Sequence, residues 1–454
     1  MFYNFFHRLV VPCFQIGVIS VLYNEPKRID LRVVSVEIDG CGYSEDKLYG
    51  AFGSLEGELI RGVPFARKKR KRFLRTSEVL EASLDRTEPL CVASSFCGGC
   101  SFQHTTSKYQ IELKTRYVRE CMSSLEPTEW LPPIVSNNYF YRTKARFGVK
   151  YVEKKERVLV GFREKLKPYI SDIDSCPIMI ERVSNVIVPL SRLIEKLSIR
   201  RSLPQIEVVS GDDDVALIFR HLEPLTKEDL KILSSFGKEF DLHLFLQSGG
   251  VDTTRKIFPK DGIDYFFYDL PEFSIKLRFS IKDFTQVNLN INRLLVSSVV
   301  SLLDLQPSDK VLDAFCGIGN FSLAIARFVS CVYGAEYAKS SVRSAEMNAS
   351  LNKIENAVFQ ACDLDSDEVC IGGIAEVNKL VLDPPRNGAA RFIERMPLEK
   401  IERIVYVSCN PVTFGEDLKI LLEKGFELKA ARVIDMFPHT THIESLALLV
   451  RNNG

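Results

Sequence analysis

The chain has 454 residues, of which 46% are hydrophobic and 26% are charged, and its formal net charge at pH 7 is +1. This composition is typical of a globular protein, the length predicts two or three domains, and the balanced charge favours no class of partner. No run of 18 or more apolar residues occurs, which excludes a membrane-spanning helix. Twelve unevenly placed cysteines do not make a disulfide framework, so we expect a cytoplasmic protein with a metal cluster.

The first section of the chain predicts a small β-barrel. Residues 1–26 are mildly apolar but lack the marks of a strong signal peptide, and we interpret them as an N-terminal extension. Over residues 27–86, short strand-like segments alternate with glycine turns, which is typical of a small all-β barrel. Within it, residues 61–75 contain eight basic residues and no acidic one. Such a patch suits a phosphate backbone, and a solvated charged face is the alternative.

The second section, residues 87–270, mixes cysteines, helical stretches and basic strand-rich segments, which predicts an α+β domain. Within it, residues 141–167 contain ten basic and three acidic residues, with four aromatic residues between them. Basic residues interleaved with aromatic ones suit phosphate backbones and stacked bases, so this section is a second candidate for nucleic-acid binding. A solvated charged face is again the alternative.

The third section, residues 271–454, predicts an α/β fold. From Lys310 onward, apolar strands alternate with helical stretches, which indicates a doubly wound parallel sheet with helices on both faces. The last two apolar segments fit an antiparallel hairpin at the edge of that sheet. Such sheets bind ligands at the carboxyl ends of their strands, where the motifs of this chain lie. The parallel strands are predicted in KVLDAFC, CVYGAEY, NAVFQACD, KLVLDPP and RIVYVSC.

A glycine turn after the first of these strands predicts a cofactor site. Gly317 and Gly319 permit a tight turn and the close approach of a ligand, but Ser322 stands where a dinucleotide fingerprint has its third glycine. Acidic residues end the next two strands, and Glu336 is placed to bind ribose hydroxyls and Asp363 an adenine amino group. The arrangement resembles the S-adenosylmethionine site of class I methyltransferases, and a purely structural turn is the alternative.

The fifth strand ends at Cys409, which faces the same crevice. A thiol beside a methyl donor suggests an acceptor carbon that needs activation, such as C5 of uracil, which becomes nucleophilic when a thiolate adds to C6. Such a site must favour the thiolate, and either the sulfonium charge of the methyl donor or Arg386 is suited to help. A base must then remove the C5 proton; Glu444 is the candidate, and we interpret its rivals His439 and His442 as structural. A buried, inert thiol is the alternative for the cysteine.

Five motifs together resemble the RNA 5-methyluridine methyltransferase family. They are FTQVN (284–288), DAFCGIGNF (313–321), LDPPRNGA (382–389), VSCNP (407–411) and DMFPHTTHIES (435–445). The resemblance covers the whole third section, and it implies that Cys409 is the nucleophile and that Glu444 takes the C5 proton. It also implies that S-adenosylmethionine is bound by one set of residues: Gln286, Phe315, Asn320, Glu336, Asp363 and Asp383.

The upstream sections narrow this resemblance. Four cysteines are similar to the ligands of the [4Fe-4S] cluster in the 23S rRNA branch of the family: Cys91, Cys97, Cys100 and Cys176. Four thiolates suit such a cluster, and a structural zinc site is the alternative. The first section is similar to a TRAM domain, a small RNA-binding barrel. The tRNA branch generally lacks both features, so the resemblance favours 23S rRNA as the substrate.

The resemblance therefore implies a cytoplasmic enzyme with three domains after the N-terminal extension, which methylates C5 of one uridine in a loop of 23S rRNA. We expect a monomer, because a single loop needs one site, and a target base that is flipped out of its loop. Two alternatives stay open. One is the same chemistry on tRNA or on another rRNA uridine, and the other is a non-catalytic RNA-binding iron–sulfur protein.

Overall fold

The structure is a computed structural model, and it describes residues 27–261, 264–366 and 371–452. The predicted N-terminal extension, residues 1–26, lies outside the described residues. In the part of the chain that is described, the strands form three large sheets and one two-stranded sheet. None of the helices there combines the length and the apolarity needed to cross a membrane.

The N-terminal section is a sheet of six strands. They are β1 (Ile29–Arg32), β2 (Ser35–Val36), β3 (Cys41–Tyr43), β4 (Tyr49–Phe52), β5 (Leu59–Lys68) and β6 (Lys71–Glu81). The strand order is β1-β5-β6-β4-β3-β2. Leu31, Ile60 and Leu74 are buried between the strands and form part of its core. The predicted all-β section is therefore present, and its closure into a barrel stays a prediction.

The hairpin of β5 and β6 carries the basic segment. Its strands pair antiparallel up to Lys68 and Lys71, while Phe73 and Leu74 point into the core. The residues of the hairpin tip are exposed: Arg67, Lys68, Lys69 and Arg70. Because its apolar residues face inward, the hairpin presents a row of positive charge to solvent.

The central section is built on a second six-stranded sheet. Helix α1 (Ser107–Met122) and strand β7 (Glu129–Trp130) precede it. Its elements are β8 (Lys144–Val152), β9 (Arg157–Gly161), α2 (Glu181–Ser184), α3 (Ile187–Glu195), β10 (Gln205–Ser210), β11 (Val215–Arg220), α4 (Lys227–Glu239), β12 (His243–Gln247) and β13 (Arg255–Phe258). The strand order is β13-β12-β11-β10-β8-β9, and helix α4 begins with a capping box formed by Thr226 and Asp229.

The C-terminal section is a doubly wound α/β domain, as predicted. After the hairpin of β14 (Phe266–Leu270) and β15 (Ile275–Phe279), its strands are β16 (Lys310–Ala314), β17 (Cys331–Glu336), β18 (Ala357–Ala361), β19 (Lys379–Leu382), β20 (Arg403–Ser408), β21 (Phe426–Ile434) and β22 (Glu444–Arg451). The helices are α5 (Leu289–Leu303), α6 (Ser322–Ile325), α7 (Lys339–Leu351), α8 (Ala390–Arg395) and α9 (Pro411–Glu423). The sheet order is β18-β17-β16-β19-β20-β22-β21-β7, and β22 is antiparallel to both of its neighbours.

Helix α1 and strand β7 lie in the predicted central segment but pack on the C-terminal sheet. Strand β7 extends this sheet beside β21, where Glu129 pairs with Ala430. Helix α1 packs against α9, and its buried Val118 and Met122 join the core that contains Phe414. The apolar face of α1 therefore ties the segment after the first three candidate ligand cysteines to the C-terminal domain. The predicted domain boundaries themselves stay a prediction.

The contact between α1 and α9 leaves no room for a side chain at Gly415, where a Cβ would lie 2.3 Å from the carbonyl oxygen of Cys121. We expect Gly415→Ala to push the helices apart and to lower the free energy of unfolding by about 1–3 kcal/mol. Gly250→Ala is the control, because a Cβ there would meet nothing within 4 Å. Thermal unfolding followed by circular dichroism compares the two variants, and equal midpoints would contradict the close packing of α1 on α9.

Candidate active site at the carboxyl edge of the sheet

Three of the predicted site residues meet at one edge of the C-terminal sheet. The parallel strands β19 and β20 end at this edge, immediately before Asp383 and Cys409. Strand β22 runs in the opposite direction and begins with Glu444, so its first residue lies at the same edge. The register pairs Ser408 with Ser445, which makes Cys409 and Glu444 neighbours across adjacent strands. The antiparallel strand thus brings the candidate base beside the candidate nucleophile.

Cys409 is half-buried at the end of β20. Burial raises the pKa of its thiol, the carboxylates of Glu444 and Asp383 raise it further, and Arg386 lowers it. The sequence analysis expected surroundings that favour the thiolate, and the protein groups in place favour the thiol instead. Burial contributes most to this preference, and the two carboxyl groups near the sulfur outweigh the one guanidinium. Additional positive charge near the sulfur is therefore needed to form the thiolate.

Glu444 is almost fully buried, with 5% of its surface exposed. Its Oε2 atom has no hydrogen-bond partner among the described residues. Burial raises the pKa of this carboxyl to about 8, with repulsion from Asp383 adding to the effect and the charge of Lys114 opposing it. A carboxyl group with a pKa near neutrality and an open oxygen is suited to exchange a proton with a bound molecule.

Two other carboxyl groups line the same edge. Asp313 is fully buried at the end of β16, where its Oδ2 accepts a hydrogen bond from the Ser322 hydroxyl. Burial nevertheless raises the pKa of Asp313 to about 7, and burial together with Asp313 raises the pKa of Asp383 to about 7. Ser322, which interrupts the dinucleotide fingerprint, therefore serves as a hydrogen-bond donor to a buried carboxyl group.

The turn after β16 is shaped for a bound ligand. Phe315, Gly317 and Gly319 have positive φ angles of 67°, 55° and 91°. Glu336, at the end of β17, accepts hydrogen bonds from the N–H groups of Gly317 (3.2 Å) and Ala338 (2.8 Å). Its carboxylate therefore fastens the glycine turn to the next strand. Phe315 is one of twelve described non-glycine residues with a positive φ, a conformation that is uncommon for a bulky side chain.

The remaining predicted cofactor residues lie around this turn in different environments. The side-chain amide of Asn320 pairs in both directions with Asn292, at 2.9 and 3.0 Å, and accepts a hydrogen bond from the Tyr268 hydroxyl. These hydrogen bonds fix the glycine turn to α5 and β14. Gln286 is buried in the segment before α5, and Asp363 is exposed just after β18.

The loop between β21 and β22 is held by side chains from outside the C-terminal section. Lys114 on α1 donates hydrogen bonds to Oδ1 of Asp435 (2.7 Å) and to the carbonyl oxygen of Phe437 (3.0 Å). The hydroxyl of Tyr141 donates to the carbonyl oxygen of Pro438 at 2.9 Å. These contacts fix the loop that leads directly into Glu444, so we refer to residues 435–443 as the Glu444 loop.

The Glu444 loop also contacts the segment that follows Cys100. The N–H groups of Ser101 and Phe102 donate to the carbonyl oxygen of His439, at 2.7 and 3.1 Å. The His439 N–H donates to Oε1 of Gln110 at 2.9 Å. Burial lowers the pKa of His439 to about 4, so its ring is neutral near pH 7. The backbone of His439 thus anchors the loop, and the structural role that the sequence analysis gave to its ring stays a prediction.

The sequence analysis missed Lys114, Gln110 and Tyr141 as parts of the site. The available signal was on α1, where Gln110 and Lys114 are one turn apart on the buried face that also carries Leu113 and Val118. Polar side chains on the buried face of a helix need partners elsewhere in the structure. The sequence shows that such partners must exist but does not identify them.

The four predicted cluster ligands line one cavity in the structure: Cys91, Cys97, Cys100 and Cys176. Hydrogen-bond donors point at two of the sulfurs, namely Gln103 at 3.2 Å from Cys100 Sγ and the N–H of Gly99 at 3.4 Å from Cys97 Sγ. Lys165, which does not line the cavity itself, donates to the carbonyl oxygen of Cys97 at 2.8 Å. Among the described residues, no group of three or more histidine, cysteine or acidic side chains is arranged to hold a metal ion.

A profile of the tRNA (uracil-5-)-methyltransferase family matches residues 106–452. The chain belongs to this family. A relative from Hahella chejuensis, named 23S rRNA (uracil(1939)-C(5))-methyltransferase RlmD, is 40% identical over 427 residues, which cover 92% of this chain and 96% of the relative. A relative of the same name from Alcanivorax borkumensis is 43% identical over 378 residues, which cover 82% and 84% of the two chains. The predicted family is confirmed.

This methyltransferase is also similar to a solved structure over most of its length. The crystal structure of Pyrococcus abyssi tRNA (uracil-54, C5)-methyltransferase in complex with S-adenosyl-L-homocysteine aligns with a TM-score of 0.73 and 25% identity, covering 93% of this chain and 99% of that one. The methyltransferase fold is confirmed. Because a tRNA enzyme aligns with nearly the whole chain, the expectation that tRNA enzymes lack a counterpart of the N-terminal section does not hold for this relative.

The raised pKa of Glu444 predicts a pH-dependent stability. Its pKa rises from 4.5 to about 8 on folding, so ionisation is disfavoured in the folded state and stability falls as pH rises through this range. We expect Glu444→Gln to be as stable as the native protein near pH 4 and more stable at pH 9. Between the two pKa values, 4.5 and about 8, the difference in the free energy of unfolding should grow by roughly 1.4 kcal/mol per pH unit. Thermal melts across pH measure this difference. The exposed Glu399→Gln is the control, and parallel pH curves for native protein and Glu444→Gln would contradict the prediction.

Proposed function

We propose that this methyltransferase transfers a methyl group from S-adenosylmethionine to C5 of one uridine in 23S rRNA and forms 5-methyluridine. The observation that carries the proposal is the placement of Cys409 beside Glu444 at the edge of the sheet where the glycine turn also lies. Methylation of C5 of uracil requires a nucleophile for C6 and a base for the C5 proton. A thiol and a buried carboxyl group on neighbouring strands meet both requirements.

Cys409 starts the reaction. After its proton is lost to solvent, the thiolate forms a bond to C6 of uracil, and the electron pair of the C5=C6 bond moves toward C5 and the O4 carbonyl as an enolate. When bound, S-adenosylmethionine would supply the electrophilic methyl group for C5, with a neutral thioether as the leaving group, and a sulfonium charge that favours the thiolate. That charge would oppose burial, Glu444 and Asp383, which raise the pKa of the Cys409 thiol.

Glu444 completes the reaction. Its carboxylate takes the proton from C5 of the methylated adduct, the C–H electron pair restores the C5=C6 bond, and the S–C6 bond breaks to release Cys409 as a thiolate. The oxygen Oε2, which has no partner among the described residues, is available for this proton. A pKa of about 8 makes Glu444 a stronger base than an exposed glutamate once it is ionised.

The residues of the glycine turn fit the cofactor. A Cβ at Gly317 would meet nothing within 4 Å, so the turn borders open space in which a ligand can lie. We assign ribose binding to Glu336, adenine binding to Asp363, and contacts around the methionine part to Gln286 and Asp383. The backbone of Phe315, at positive φ, forms part of the turn that borders the cofactor. The side chain of Asn320 holds the turn in place through its hydrogen bonds with the Asn292 amide.

The choice of 23S rRNA rests on sequence identity. The relatives named as 23S rRNA enzymes are 40% and 43% identical to this chain, whereas the tRNA enzyme of known structure is 25% identical. We infer that the N-terminal sheet is a TRAM-like RNA-binding module and that its exposed basic hairpin contacts RNA phosphates. The architecture by itself does not distinguish the two RNAs, because the tRNA enzyme spans it as well.

We further propose that Cys91, Cys97, Cys100 and Cys176 bind a [4Fe-4S] cluster. Four thiols that line one cavity suit a cluster, whose four irons spread their ligands further apart than a single ion does. The hydrogen bonds from Gln103 and Gly99 to cysteine sulfurs and the nearby charge of Lys165 would stabilise thiolates. Zinc, held by four sulfurs about 2.3 Å from one ion, is the alternative.

Transfer of labelled methyl groups tests the substrate. We expect the protein to label 23S rRNA that lacks the modification and to leave tRNA unlabelled, with 5-methyluridine as the labelled nucleoside after digestion. Cys409→Ala should lose activity by at least about 10³-fold, because the nucleophile is absent. Cys331→Ala is its control, because Cys331 starts β17 at the opposite edge of the sheet.

The outcomes of this assay separate the alternatives. Label in tRNA alone would overturn the choice of RNA and would keep the chemistry. Label in both RNAs that persists in Cys409→Ala would overturn the proposed nucleophile. An absence of label in any RNA, with the metal content intact, would favour a non-catalytic RNA-binding protein.

Metal analysis tests the cluster. Protein purified without oxygen should contain about four iron and four sulfide per chain, and Cys176→Ser should lose both together with the visible absorption of the cluster. The control is Cys121→Ser, since Cys121 lies on α1 away from the cavity. About one zinc per chain and no sulfide would contradict the cluster and support the structural zinc site.

A further inference from the structure

Two buried polar side chains of helix α1 form hydrogen bonds with the Glu444 loop. Lys114 donates to Asp435 at the start of the loop and to the carbonyl oxygen of Phe437, at 2.7 and 3.0 Å. Gln110, one turn earlier, accepts from the N–H of His439 at 2.9 Å. One helical turn therefore contacts the loop at three points along the stretch that ends at Glu444. A shift of α1 would be transmitted to the position of the candidate base.

The ion pair between Lys114 and Asp435 is buried. The side chain of Lys114 is 0% exposed and that of Asp435 is 4% exposed, so the ion pair lies inside the protein. Apolar residues of similar size hold packed elements together at least as well as a buried ion pair, because they avoid the cost of desolvating two charges. The pair between Lys114 and Asp435 thus places a cation inside the protein beside the loop of the candidate base, where the proposed reaction can use its charge.

The charge of Lys114 acts on Glu444. The groups that face Glu444 are Asp383 from the end of β19, Cys409 from the end of β20 and Lys114 from α1, whose ammonium is paired with Asp435. Asp383 and the thiolate oppose ionisation of Glu444, and Lys114 favours it. The proposed reaction needs the carboxylate form at the moment of proton removal, so a nearby buried cation meets a chemical requirement of the site.

We propose that Lys114 is a positioning residue for proton removal, which holds the Glu444 loop through Asp435 and Phe437 and places a positive charge that favours the carboxylate form of Glu444. The inference rests on the proposed function, since it assigns a task to Lys114 in the step that Glu444 performs. Lys114 lies on α1, which is outside the doubly wound domain in sequence and follows the segment that contains Cys100. The proposal therefore assigns an effect on proton removal to a residue from another section of the chain.

Kinetics with two RNA substrates test this role. Release of tritium from RNA carrying [5-³H]uridine reports proton removal, whereas RNA carrying 5-fluorouridine has no C5 proton and stops at the methylated covalent adduct. We expect Lys114→Met to slow tritium release by about tenfold or more and to accumulate the adduct on normal RNA. The rate of adduct formation on 5-fluorouridine RNA should not fall, because Glu444 removes no proton in that step and its carboxylate only raises the pKa of the Cys409 thiol.

A matched control is available in the same domain. Lys379 and Asp309 form a second buried ion pair, 4% and 6% exposed and 2.6 Å apart, and Lys379 also donates to a backbone carbonyl oxygen. Lys379 starts β19 at the edge opposite to Glu444. Lys379→Met removes a comparable pair, so we expect a similar loss of thermal stability with no change in the ratio of tritium release to adduct formation.

The pH profile separates charge from simple structural support. The midpoint of tritium release should shift to higher pH in Lys114→Met, because the cation that favours ionised Glu444 is gone. It should also shift to higher pH in Asp435→Asn, because burial lowers the pKa of the Lys114 ammonium, and the loss of the Asp435 carboxylate removes the charge that raises it again. If Lys114→Met fails to fold, the shift in Asp435→Asn decides the question alone.

Three results would overturn the proposal. They are equal ratios of tritium release to adduct formation in Lys114→Met and Lys379→Met, an unchanged pH midpoint in Asp435→Asn, and a matching loss of adduct formation on 5-fluorouridine RNA in Lys114→Met. Failure of the unaltered protein to form an adduct with any RNA would instead overturn the proposed function, so the two failures are distinguishable.

Discussion

The antiparallel pairing of β22 with β20 is the constraint on which the site depends. A strand that ran parallel to β20 would place its first residue at the amino edge, far from Cys409. Because β22 runs the other way, Glu444 begins at the carboxyl edge, and the register of Ser408 with Ser445 sets it beside the thiol. The same pairing fixes the ends of the Glu444 loop, since β21 and β22 are also antiparallel. Strand direction thus decides which side chains can react together.

Burial of the carboxyl groups at this edge favours proton exchange and lowers the stability of the fold when they ionise. Glu444, Asp313 and Asp383 have raised pKa values because each is withdrawn from water, and Asp313 and Glu444 each keep an oxygen without a partner among the described residues. Such groups lower the free energy of unfolding once they ionise, but their raised pKa values suit them to exchange protons with a bound molecule near neutral pH. Among the groups that act on Glu444, Lys114 provides the compensating charge, and it comes from a helix that precedes the central sheet. The electrostatics of the site therefore depend on packing between sections.

The Glu444 loop is a junction of three parts of the chain. It receives side chains from α1, the hydroxyl of Tyr141 from the central section, and backbone N–H groups from Ser101 and Phe102. These two residues directly follow Cys100, so the cavity of the four cysteines is linked by a short covalent path to the loop of the candidate base. The proposed cluster would in this way stabilise a segment that the active site needs, without contacting the reacting atoms.

The sequence by itself determined the doubly wound domain, because strand–helix alternation and glycine turns are local patterns that the sheet preserves. It also located Cys409 and Glu336 at strand ends, since the end of an apolar run marks the edge of a sheet. The partners of Lys114, the engagement of Asn320 with Asn292 and the unfavourable surroundings of the Cys409 thiol were decided by the tertiary structure alone. These contacts join residues that are well separated in the sequence, by 28 positions for Asn320 and Asn292 and by 321 for Lys114 and Asp435. They depend on distances in the folded chain, and no local pattern records those distances.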